Sequence, residues 1–347
     1  MNPHRRSARR ALTFVVTSLL LSLGCGDGGI DITEPVAGDA TTPDLPAGPA
    51  VVGDTIYALD MANRLMLFGS ESYGTVSRVL PIRGVPIFHR IVGIDIRPSD
   101  GLLYGVGSDS RVYVIDPSTT VATPVSAERF TPHVSQFFDV HFAMAFDPST
   151  DRIRLISAET RANWSINADN GTATAGEPAR YAEDDPNETT PPAISGIAFA
   201  PTQASGVAGP VGQGSPCEDL MYAFDSDISQ LGVVCDGDLM EIESLFEIPL
   251  SVTRCSEVSF DPDGNLFAIV LDAAAGVNRL GKIDPETGDV QWSGDVPHDS
   301  PIQDIAYPPT TGSSNAPVRS SRATDSESYY PTAPTASQGD LTAACAG

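Results

Sequence analysis

The sequence predicts an all-β fold, a five-bladed β-propeller closed by strands from both termini. Three observations carry that expectation. A short strand-turn-strand unit recurs five times within the 347 residues. The first strand of every copy alternates strictly between large and small side chains, which is the period of a β-strand. The strands that the last copy lacks stand at the beginning of the same region.

The chain is read in four parts: 1–24, 25–50, 51–309 and 310–347. Arg5, Arg6, Arg9 and Arg10 form a positive start, and Ala11 to Leu23 is apolar. That stretch is too short for an ordinary membrane span and reads as a signal peptide. Leu21-Ser22-Leu23-Gly24-Cys25 resembles the bacterial lipobox, although Ser22 stands where Leu is usual. Cys25 is therefore the expected lipidation site, and the expected address is the cell envelope, outside the cytoplasm. Residues 25–50 and 310–347 are rich in Gly, Pro, Ser, Thr and Ala, the composition of a flexible tether and a disordered tail.

The propeller region, 51–309, is justified strand by strand. Aligning the copies on Pro98, Pro148, Pro201, Pro262 and Pro309 gives spacings of 50, 53, 61 and 47 residues. Two residues before each proline stand Ile96, Phe146, Phe199, Phe260 and Tyr307. Four before stand Ile94, Met144, Ile197, Val258 and Ile305. The intervening positions are mostly Gly, Ala or Ser. A large face that presses into the small face of the next unit suits blades that pack at interior density. Each proline leads through Asp-Gly or Asp-Arg, residues that tolerate tight hairpin turns, into a second strand such as Leu102 to Val106. Third strands follow, such as Arg111 to Ile115 and Arg279 to Ile283. The fifth copy has only Ile302 to Tyr307. Its missing strands are Thr55 to Leu59, Arg64 to Phe68 and Val76 to Leu80, so the two ends of the domain should share one blade. Closure of this kind removes exposed sheet edges.

The runs IVGIDIRPSDGLLYGVGSDSRVYVIDP and FAMAFDPSTDRIRLISAETRANWSINADNGTAT resemble the bacterial domain of unknown function 4394 family, over roughly residues 54–295. The resemblance implies a secreted β-repeat protein and no particular activity. Family copies commonly carry an acid where this chain has Ala145. The Gly/Pro-rich insertion at 202–217 and Cys217, Cys235 and Cys255 look private to this sequence.

Composition removes several classes of function. Lys and Arg number 20 against 45 Asp and Glu, a formal net charge of −25. Loss of the four leader arginines lowers it to −29. Nucleic acid is excluded as a partner, because its phosphates must be met by basic side chains. The sequence has no G-x-S-x-G elbow, P-loop, dinucleotide fingerprint or H-E-x-x-H. Outside the cytoplasm, four cysteines suggest disulfides. Cys217 and Cys235 bracket one hairpin and are the expected pair, with Cys255 joined to Cys345 or free.

Two constellations remain. Asp95, Glu257 and Asp304 fall on the small-residue face of innermost strands, where an acid is exposed at the channel or buried at a cost. One reading has Asp95 accepting backbone N–H bonds between blades while Glu257 and Asp304 are solvated at the rim. The other has all three holding calcium, which prefers carboxylate oxygens, or a polyhydroxylated ligand. His133, Asp139 and His141 lie close together and form a weaker metal candidate. Asp261-Pro262-Asp263-Gly264-Asn265 is expected to be a turn, since an EF-hand's flanking helices and final glutamate are missing. The functional expectation is a monomeric, non-enzymatic binding module with a protein or glycan ligand, touching the membrane only through its lipid. The alternative is a carboxylate-dependent hydrolase or lyase acting on a glycan or lactone at the channel mouth.

Overall fold

Five small sheets follow one another along the chain and return to the first. A computed structural model of the protein describes residues 49–134, 141–200, 220–248, 252–272, 274–285 and 287–308. Blade 1 begins with β1 (Thr55–Asp60), β2 (Arg64–Gly69) and β3 (Arg78–Pro81). Blade 2 is β4 (Ile91–Ile96), β5 (Leu103–Gly107), β6 (Arg111–Ile115) and β7 (Ala122–Pro124). Blade 3 is β8 (Phe142–Asp147), β9 (Arg152–Ser157), β10 (Asn163–Asn167) and β11 (Ala173–Ala175). A two-residue strand, β12 (Arg180–Tyr181), precedes blade 4, which is β13 (Ile194–Phe199), β14 (Met221–Asp225), β15 (Gln230–Val234) and β16 (Glu241–Glu247). Blade 5 is β17 (Val252–Phe260), β18 (Leu266–Asp272), β19 (Val277–Ile283) and β20 (Val290–Val296). The last strand, β21 (Ile302–Ala306), then returns to blade 1. No helix occurs among the described residues.

The closing strand pairs antiparallel with β1, in the register Tyr57↔Ala306, Ala58↔Ile305 and Leu59↔Asp304. The ring is therefore fastened by hydrogen bonds between residues about 250 positions apart in sequence. Innermost strands β21, β4, β8, β13 and β17 pack each against the next, the fifth against the first. β12 lies parallel to β16 at the outer edge of blade 4, an addition that the repeat did not predict. β3 and β7 both end in proline. An outer-edge strand tolerates that residue because its missing N–H has no ladder partner to lose.

The core consists of wedges between blades. Each cluster of buried side chains draws on two consecutive blades. One joins Tyr104 and Val106 of blade 2 to Met144, Phe146 and Leu155 of blade 3. Another joins Ile269 and Leu280 of blade 5 to Ile56, Phe68 and Ile305 of blade 1. The small positions are small for a spatial reason. A Cβ on Gly93 would lie 2.6 Å from Cβ of Met144 in the next blade, and one on Gly196 would lie 2.7 Å from the backbone N of Val258. The large-into-small packing expected from the alternation is thus what spaces the blades.

Turns into the second strands match their chemistry. Gly101, Asp151 and Gly264 all hold positive φ, at 70°, 54° and 83°. In the turn at Asp261, Oδ1 accepts the Asp263 and Asn265 N–H groups and Oδ2 accepts Asn265 Nδ2. That carboxylate is committed to its own turn, as the sequence reading expected.

Candidate functional site

An innermost propeller strand has a neighbour on one side only. Its other edge faces the ring axis, where backbone N–H groups lack a ladder partner. A buried N–H left unpaired costs about as much as a lost hydrogen bond. Three carboxylates meet this need. Asp304 on β21 accepts the Ile94 N–H of β4 through Oδ2 at 2.6 Å and the Ile305 N–H through Oδ1 at 2.8 Å. Asp95 on β4 accepts the Phe146 N–H of β8 at 2.7 Å and the Ile96 N–H at 2.7 Å. Glu257 on β17 accepts the Ile197 N–H of β13 through Oε1 at 2.9 Å. Each acid thereby joins two adjacent blades.

This confirms the seam role expected of Asp95 and extends it. Glu257 and Asp304, read as solvated at the rim, are each only 1% exposed. Their side chains reach sideways to a neighbouring strand's N–H, so they are drawn into the seam. Burial has an electrostatic consequence, because it disfavours the charged form. It lifts Asp95 to about 7 against the opposing pull of the Phe146 and Ile96 N–H groups. Burial, followed by the neighbouring Asp304 charge, lifts Glu257 well above the ordinary glutamate range. Asp304 is lifted chiefly by burial as well, with a smaller push from Asp95. Glu257 Oε2 is buried and has no hydrogen-bond partner.

The three acids do not form a cation cradle. No group of three His, Cys, Asp or Glu among the described residues is arranged to hold a metal ion. His133 is exposed. His141 is buried, with Nδ1 2.6 Å from Glu159 Oε1 and its backbone N–H on Glu159 Oε2 at 3.2 Å. Asp139 lies outside the described residues, as do Cys25, Cys217 and Cys345. Glu159 went unnoticed in the sequence because it belongs to a turn 18 residues beyond its partner.

What the acids accompany is a cavity of about 430 Å³ where the innermost strands end. It is lined by the side chain two before the proline in each of the five copies: Ile96, Phe146, Phe199, Phe260 and Tyr307. Pro98, Pro148 and Pro262 also border it. Asp95 lines the cavity and is partly exposed, whereas Glu257 and Asp304 are not among the lining residues. Aromatic neighbours brace the walls. Phe146 meets Tyr104 edge-on at 5.4 Å, Phe260 meets Tyr222 at 5.6 Å, and Tyr307 lies 5.7 Å from Phe267. Tyr307 Oη is buried without a hydrogen-bond partner. The column of large residues was legible in the sequence, but nothing there separated a lining position from an ordinary core position.

Fold and cavity together define a closed five-bladed propeller with a small axial cavity. The family model described as Domain of unknown function (DUF4394) matches residues 64–306, and the chain belongs to that family. Among curated proteins, no sequence matches it. Three solved structures are similar to it in shape. One is the nidogen/laminin complex, at 12% identity over 74% of this chain and 98% of the other, with a TM-score of 0.43. A second is a structural genomics protein of unknown function from Bacteroides thetaiotaomicron, at 15% identity, 75% and 63% coverage and a TM-score of 0.44. A third is the dihydro-heme d1 dehydrogenase NirN in complex with DHE, at 12% identity, 73% and 46% coverage and a TM-score of 0.32.

Proposed function

We propose that this protein is a lipid-anchored binding module of the bacterial cell envelope. It holds a ligand in the axial cavity without transforming it. The cavity is the observation that carries the reading. Its volume falls within the range of small-molecule sites, and such sites are mostly apolar with a few placed polar groups. A hydrolase or lyase of the kind considered above needs carboxyls gathered around a reacting bond. Here the two carboxyls that line the cavity are already committed: both oxygens of Asp95 accept backbone N–H groups, and Asp261 is bonded into its own turn, while Glu257 and Asp304 do not line it. The last two are spent on seams behind it.

The address rests on the leader and on Cys25, and Cys217–Cys235 is the proposed disulfide of an oxidising compartment. Labelled palmitate should enter the wild-type protein and be absent from Cys25→Ala. Peptide mapping without reductant should recover Cys217 joined to Cys235. The binding reading is tested by a thermal-shift screen of small uncharged and charged compounds on the full-length protein. Compounds that raise the melting temperature of the wild type should lose their effect on Phe199→Arg, which fills the cavity and places a positive charge in its wall. Stabilising compounds that act equally on both proteins would move the site elsewhere.

A further inference from the structure

The cavity has a sign as well as a shape. Asp95 lines it, and so does Asp261 at the edge. No Lys, Arg or His is among its lining residues. Arg97, which stands in sequence between the lining residues Ile96 and Pro98, is committed elsewhere: its guanidinium is paired with Asp151 and Asp169 and bonds Tyr104 Oη. Behind the floor, Glu257 and Asp304 interact electrostatically with Asp95. Asp54 and Asp261 act in the same way on Tyr307. Among the described residues, the charged groups that line the cavity or adjoin its lining in this way are acids, together with one cation, Arg97, that acids already neutralise. The remaining wall is aromatic and aliphatic, drawn from all five blades.

An apolar wall that holds a carboxyl and no basic side chain is a poor site for a neutral hydrocarbon, and a worse one for an anion. It suits a cation whose charge is spread beneath methyl groups. Such an ion needs no directional hydrogen bonds, gains from aromatic surroundings and sheds water at little cost. Within the binding reading above, on which this step rests, we infer that the cavity takes a quaternary ammonium head group of about choline size. Its methyl groups lie among Phe146, Phe199, Phe260 and Tyr307, and the Asp95 carboxylate supplies the counter-charge. A hydroxyl or ester oxygen beyond the head group would meet Tyr307 Oη, the buried donor that has no partner.

The acid's own titration supports this chemistry. Asp95 is held neutral up to about 7 by burial. A bound cation would favour its ionised form, so cation affinity should rise with pH through that value. Between pH 6 and pH 8 the ionised fraction of such a group grows about tenfold, and affinity should grow by a similar factor. Glu257 and Asp304 can only reinforce the trend, since they too gain charge as pH rises.

The test uses the full-length protein and two probes of equal shape, choline and its carbon isostere 3,3-dimethylbutan-1-ol, in isothermal titration at both pH values. The inference expects choline to bind at least tenfold more tightly than the isostere at pH 8. Asp95→Asn should lose most of the choline affinity and retain the isostere's, which also shows that the variant is folded. Vesicles of phosphatidylcholine, offered to Cys25→Ala so that no lipid anchor contributes, distinguish a lipid head group from a free small cation: retention that Asp95→Asn abolishes assigns the former, and choline binding without retention the latter. Equal binding of both probes, unaffected by Asp95→Asn, overturns the inference and leaves an apolar binder. Binding of neither probe also overturns it, and takes the binding reading with it if the compound screen against Phe199→Arg finds nothing.

Discussion

Replacing Glu257 by glutamine should stabilise the protein, and more so at higher pH. Glu257 Oε1 accepts the Ile197 N–H, which the glutamine oxygen can do equally well. Oε2 has no partner to lose. The neutral acid already places an O–H at that point, so the amide is a close substitute in shape and polarity. Glu257 in the folded state titrates well above its ordinary value of 4.5, because of burial and the nearby Asp304 charge. A group raised in this way contributes its full stability below 4.5 and loses it as pH rises toward the folded value. Above 4.5 the unfolded chain releases the proton while the folded protein retains it. Each pH unit in that window costs the folded state about 1.4 kcal/mol. The wild type should therefore lose stability at about that rate from pH 5 up to the folded value of this one carboxyl. Glu257→Gln should be spared that loss. In a domain of this size each pH unit within the window corresponds to about 3 to 6 °C in melting temperature in favour of the variant, with the two proteins nearly equal at pH 5. Urea unfolding of both proteins at half-unit pH steps measures it directly. Parallel stability curves would show that Glu257 is ionised in the folded protein, and the electrostatic account of the seam would then be wrong.

Three further outcomes follow from the same packing. Deleting residues 301–309 removes β21, exposes the free edge of β1 and uncovers the wedge around Ile56 and Phe68; the truncated protein should aggregate or melt without cooperativity in calorimetry. Gly93→Ala drives a methyl group toward Met144 and should cost about 1 to 3 kcal/mol in denaturant unfolding. Phe88 holds a φ of 67° and is 92% exposed, so Phe88→Gly should relieve strain and raise stability by about 1 kcal/mol.

The strand pattern of the sequence carried most of the fold, and the reason is the geometry of a blade. Both faces of an innermost strand are buried against like strands, one face large and the other small. Ile94 and Ile96 alternate with Gly93 and Asp95 because Met144 and Phe146 press from the next blade. That constraint is local enough to repeat, so it can be read five times over. The pairing of β21 with β1 was legible as well, since an incomplete last unit and a surplus first one require each other. β12 was not. Its two residues hold their place through a parallel contact with β16, 61 residues away, and two residues have no period.

The acids expose a sharper boundary. Sequence position located Asp95, Glu257 and Asp304 on the small face of the innermost strands, yet left open whether that face met water or the next blade. The answer depended on the axial edge, where Ile94, Phe146 and Ile197 present N–H groups that no strand satisfies. A strand pattern records side-chain size, and it has no symbol for an unpaired backbone donor. Glu257 and Asp304 stand five residues before their prolines and close seams deep in the ring. Asp95 stands three before, two residues nearer the end at which the cavity opens. The same seam bond therefore leaves Asp95 bordering the cavity and keeps the other two behind it. That two-residue difference separates an acid available to a ligand from acids that serve the fold alone. It predicts that Asp304→Asn and Glu257→Gln act chiefly on stability and shift ligand preference far less than Asp95→Asn, which changes which ligand the cavity prefers.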